Sequence, residues 1–260
     1  MKTQWTGVVL TTFFCISAAS AAIPEQTLVQ GILDCEGEAH LALADYQRAL
    51  KTPTDTSLQS DMNIQLGHVQ QCAGRIPQQL EATGEAAGAA RLRQSAAGLT
   101  QAFTAAATDL QAGRDGSAAS LLQQRHREFI AVLEGEERRL LSSKRVDPQQ
   151  AEYLAHKVAA NVRQLEVLFL AHDKPGHDAG MEQLAGQVDT LMANLQARVQ
   201  EQHTKWKPIQ ATWWFMRKAA LEGENQGAGF IVGYQSTRLV GLLNQLHESG
   251  AARPEVVTRS

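Results

Sequence analysis

The stretch "CEGEAHLALADYQRALKTPTDTSLQSDMNIQLGHVQQC", residues 35–72, is bounded by two cysteines and broken once, at Pro53. Apolar residues recur on both sides of the proline. Leu28, Ile32, Cys35, Ala39, Ala42, Tyr46 and Ala49 follow one another by four and three, as do Leu58, Met62, Leu66, Val69, Cys72 and Ile76. Residues three and four apart share a helix face, so each series is a seam for a neighbouring helix. "KTPTDTS" interrupts the pattern, because proline lacks the amide proton a helix needs. The midpoint of positions 35 and 72 is 53.5, at that turn. In an antiparallel hairpin, residues equidistant from the turn lie at one height. Both cysteines also fall on the apolar seams. A Cys35–Cys72 disulfide is therefore expected, stapling the first two helices. There is no CxxC for redox exchange, no CxxCH for haem attachment and no paired Cys/His spacing for zinc.

The same periodicity continues along the chain. Leu92, Ala96, Leu99, Phe103, Ala106 and Leu110 make a third stripe. A weaker one runs through Leu122, His126, Phe129, Leu133, Glu136 and Leu140. Ala151, Leu154, Val158, Asn161, Leu165 and Leu168 form a fifth, and Met181, Leu184, Val188, Leu191 and Leu195 a sixth. Turn signals separate them: "ATGEAAG", "GRDGS", "RVDPQ", "DKPGHD" and Pro208 after "KWK". Gly74 and Pro77 should end or kink the second helix near Ile76. Four glycines in "EGENQGAGFIVG" should break the chain around residues 223–229, before a last helix to about His247. The expected fold is all-α: an elongated antiparallel bundle of about seven helices over residues 23–249, as one bundle or as two sub-bundles sharing helices. Residues 250–260 should form a flexible tail.

Residues 1–22 read as an export signal, with Lys2 at the start, an apolar core from Trp5 to Ile16, and small residues in "SAASAA". That core is short for a membrane span, which needs about 20 residues. Cys15 does not fit a lipidation site, because bulky Phe14 precedes it. The expected location is the periplasm or the exterior, which permits the disulfide. Loss of residues 1–22 takes the formal charge from -3 to -4. A mildly acidic chain with interspersed charges argues against nucleic-acid binding. In outline the layout resembles periplasmic helical-bundle sensor and adaptor domains, without the flanking spans of a receptor.

Motifs for catalysis are missing: no HExxH, GxSxG, P-loop or EF-hand loop occurs. No catalytic residue and no cofactor is expected. "AHDKPGHDAG" places His172, Asp173 and His177 close together, a weak candidate for a divalent metal. Helix-end roles for His172 and Asp178 explain it more simply. His126 should be a partly buried histidine, and His68 should look toward solvent or a flanking helix. The run Glu134, Glu136, Glu137, Arg138 and Arg139 reads as a solvated face, with Glu136 able to pair across the bundle. The most unusual segment is "KWKPIQATWWFMRK", residues 205–218. Ile209, Trp213, Met216 and Ala220 form its core stripe, so Trp213 should be buried. Trp206, Trp213, Trp214, Arg217 and Lys218 are the binding candidates, for a protein partner, a small ligand or a membrane surface. The expected function is that of an exported, non-enzymatic bundle binding a partner or small ligand in the cell envelope. A metal-binding protein using His172 and His177, and a structural or secretion-apparatus component, are the alternatives.

Overall fold

The computed structural model describes residues 25–52, 55–113, 118–171, 179–199, 203–223 and 227–251. The export segment, Pro53, the stretch 172–178 and the end of the chain from 252 lie outside the described residues. Among the described residues eight helices occur in order: α1 (Glu25–Lys51), α2 (Thr56–Ala82), α3 (Ala86–Gln111), α4 (Ala119–Ser142), α5 (Ala151–Ala171), α6 (Ala179–Arg198), α7 (His203–Glu222) and α8 (Ala228–Ala251). The fold is all-helical, as the periodicity predicts, with no strand among the described residues. No described helix is long and apolar enough to cross a membrane.

The helices close into two rings of contacts. α1 packs on α2, α2 on α3, α3 on α4, and α4 returns to α1. Likewise α5 packs on α6, α6 on α7, α7 on α8, and α8 returns to α5. The rings meet along α1 and α5, and their buried apolar residues form one continuous cluster. α1 is central to this arrangement: 16 of its 27 residues are buried, against 10 of 26 in α3 at the edge. A helix buried on two flanks cannot keep a single narrow apolar stripe.

Three bonds set the register of the α1–α5 seam. Gln30 donates to Glu152 (2.8 Å), His156 contacts Asp34 (2.6 Å), and Lys51 donates to the Leu170 carbonyl (3.0 Å). Partner numbers rise together, so α1 and α5 run parallel. α5 and α8 run antiparallel, with Arg163 opposite Ser236 and Phe169 beside Gly229.

The Cys35–Cys72 disulfide is present, with Cα atoms 5.6 Å apart. Asp55 caps α2, its carboxylate accepting from the Ser57 amide (2.9 Å). Two expected breaks are corrected. α2 does not end near Ile76 but carries Pro77 inside it and runs on to Ala82. Pro208 lies inside α7, which already begins at His203. In each case buried side chains flank the proline, Ile76 and Leu80 in α2, Trp206 and Ile209 in α7. Their packing offsets the one lost backbone bond, which costs roughly 3 kcal/mol in an isolated helix. The chain turns away just past Ala82 at Gly84, whose φ of 86° suits a residue without a Cβ.

Candidate functional site

Charged side chains fill the seam where the two rings meet. Glu36 of α1 is 1% exposed and lies 3.7 Å from Lys157 of α5 and 3.9 Å from His40. Burial alone would raise the Glu36 pKa. The neighbouring His40 and the Lys157 charge outweigh it, and the carboxyl sits below its ordinary range. Glu137 of α4 accepts from both Tyr153 and Lys157, each at 2.8 Å. Burial opposes the charge on Lys157, but Glu36 and Glu137 hold its pKa above the usual value. Burial and the neighbouring Glu137 both push the Tyr153 phenol up.

A second cluster lies further along. Glu166 is wholly buried and contacts Arg48 of α1 and Arg163 (3.2 Å). Arg163 also donates to the hydroxyls of Ser236 (3.1 Å) and Thr237 (3.2 Å) on α8. Burial brings the Arg163 pKa down to about 10. Asp45, beside Arg48, is pushed up by burial despite that arginine. Gly233 of α8 makes room for this cluster, since a Cβ there would lie 2.6 Å from Arg48 Nη2 and 3.2 Å from Glu166 Oε1. Each acid in the two clusters faces a cation, so the charges hold the rings in register.

Clefts flank the seam on both sides. On the α2–α8 side an open groove of about 810 Å³ is walled by Leu58, Asp61, Phe230 and Tyr234, with Asp45 and Arg48 at its floor. It leads, through Leu41 and Arg163, to a pocket of about 470 Å³ beside the disulfide. His68 lines that pocket, half-exposed and 3.4 Å from Glu38, so it looks toward solvent as its position off the seam predicts. On the α4 side, His40 and His126 face each other in a smaller cleft, their ring centroids 4.9 Å apart.

The tryptophan segment divides between core and surface. Trp206 and Trp213 are buried, at 3% and 6% exposure. Trp213 Nε1 donates to Asp189 of α6 (2.7 Å), and Arg217 Nε donates to the other oxygen of that carboxylate (3.1 Å). Those three side chains fasten α7 to α6. Trp214 is 54% exposed, sits edge-on to Phe215 (4.9 Å between centroids) and carries Lys218 Nζ 5.2 Å above its ring. Only Trp214, Arg217 and Lys218 of the five candidates thus reach the surface, with Arg217 partly occupied. His172, Asp173 and His177 lie outside the described residues, and among the described residues no group of three His, Cys, Asp or Glu side chains is placed to hold a metal.

The charge run on α4 is less solvated than expected. Glu136 pairs across the ring with Arg91 (2.7 Å), as its stripe position allows, but Glu137 is buried too. The exposed aromatics of α8 went unforeseen: Phe230 and Tyr234 stack 6.2 Å apart, at an interplanar angle of 14°. Their signal lay in the spacing of four and in their offset from the buried stripe Val232, Ser236, Leu239, Leu243, Leu246. The chain matches no family model, no curated protein and no solved structure.

Proposed function

We propose that this is an exported, non-enzymatic helical-bundle protein that binds a protein partner in the cell envelope through the outer face of the α7–α8 hairpin. One observation carries the reading. Among the described residues, Trp214, Phe215, Phe230, Ile231 and Tyr234 are five of the eight exposed large apolar side chains, and all lie on α7 and α8. Exposed aromatic area concentrated in this way is what protein interfaces bury, and Trp and Tyr supply much of their binding energy. Export is supported by the leader-like residues 1–22 and by the disulfide, which persists in oxidising compartments. The matched seam charges favour a binding scaffold over an enzyme.

The test is capture of partners from the native envelope by the mature chain and by a Trp214→Ala, Phe230→Ala, Tyr234→Ala variant, followed by mass spectrometry. All three side chains are more than half exposed, so the variant should fold with an unchanged helical spectrum. Loss of a specific captured protein is the expected result. Equal capture by the folded variant would remove the α7–α8 face from the interface. Recovery of lipid vesicles in place of a protein would move the reading to a membrane surface.

A further inference from the structure

The second site lies on the opposite flank of the seam, between α1, α4 and α5, and stands apart from the aromatic face. It is a cleft of about 320 Å³, within the range of small-molecule sites of roughly 300–1,000 Å³. Its apolar lining includes Leu43, Ile130, Val167 and Leu168. Three of its polar side chains are deeply buried: His40, Gln47 and His126, at 2%, 6% and 4% exposure. Both ring nitrogens of His40, both amide atoms of Gln47 and Nε2 of His126 are buried without a hydrogen-bond partner. Buried polar atoms are nearly always paired, because an unpaired one costs about 1–3 kcal/mol. Five such atoms on three residues line one cleft.

The chemistry of the missing partner follows from the groups. His126 donates from its other ring nitrogen to the Ala39 carbonyl. Burial, with His40 and Arg127 nearby, keeps the ring neutral. Nε2 is therefore a lone-pair acceptor and needs a donor. The Gln47 amide offers both N–H donors and an acceptor. A hydroxyl group supplies the donor that Nε2 needs. Arg127 is exposed and Glu134 partly so, which leaves no counter-charge inside for an ionic ligand. We propose that this cleft binds a small, uncharged apolar molecule bearing a hydroxyl group, which donates to His126 Nε2 while its hydrocarbon body lies against Leu43, Ile130 and Val167.

The test uses the mature chain with ¹⁵N-labelled histidine and ¹³C-labelled methyl groups, titrated with cyclohexanol and, separately, with its methyl ether. The ether keeps the ring but cannot donate. Expected is a saturating shift of His126 Nε2 and of the Leu43 and Ile130 methyls with the alcohol, and binding about tenfold weaker with the ether, the equivalent of one lost hydrogen bond. His126→Leu should weaken alcohol binding similarly, while Trp214→Ala should leave it unchanged. If His126→Leu does not fold, the alcohol–ether comparison on the native chain decides alone. A shift that does not saturate, or equal affinity for the ether, overturns the proposal and leaves the cleft to ordered water.

Discussion

Single residues carry the seam, and their surroundings decide their chemistry. Gly233 shows this most sharply. On helix propensity alone, alanine there should stabilise α8 by about 1 kcal/mol. The Arg48 guanidinium and the Glu166 carboxylate occupy the space a Cβ would need. Moving Arg48 would leave Glu166, wholly buried, with one cation fewer. We expect Gly233→Ala to lower unfolding free energy by about 2–4 kcal/mol, set by the loss of a buried pair. Urea denaturation checks it, and an unchanged or raised midpoint would show that the pair yields without cost. His68 and Glu136 were legible because their position relative to a stripe fixes which way they point. Glu137 was not, because its burial comes from Tyr153 and Lys157 on a helix that the α4 pattern says nothing about.

At the scale of elements, the α1–α2 hairpin is the unit that local pattern describes best. Two stripes, one turn and symmetry about that turn placed Cys35 against Cys72. The bridge closes a loop of sequence separation 37. In the chain-entropy treatment, Cys35→Ser or Cys72→Ser should cost about 4 kcal/mol of stability. Guanidinium denaturation of each variant against the oxidised parent measures this, and a cost below about 1 kcal/mol would assign the bridge no structural weight. Helix ends read less well. Pro77 was expected to end or kink its helix, and Pro208 to mark a turn, because proline removes a backbone bond. Burial of Ile76, Leu80, Trp206 and Ile209 beside them outweighs that loss. Local chemistry states the cost of a proline, and only packing states what offsets it.

Across the whole molecule, buried ionisable groups tie stability to pH. His126 has a folded pKa well below its ordinary 6.5, so the unfolded chain takes up a proton first as pH falls. Its contribution is therefore fully present above about pH 6.5 and drains away below it, by up to about 1.4 kcal/mol per pH unit. Glu36, lowered from 4.5, adds a second loss at more acidic pH, while Asp45, raised from 3.8, works weakly in the other direction. Urea midpoints between pH 8 and pH 5 should fall on the acid side, and His126→Leu should flatten that slope. A native chain whose midpoint does not move across this window would contradict a buried neutral His126.

The amino-acid sequence by itself determined the helical class, most of the segments and the disulfide. Each of these follows from spacing of three and four and from distance to a turn, which are properties of neighbouring residues. Tertiary structure alone decided that α5 lies parallel on α1, that the seam between them is charged, and that Trp206 faces in. Those outcomes depend on which helix sits beside which, across separations near 120 residues. A single helix pattern records only that a face is buried, not what buries it.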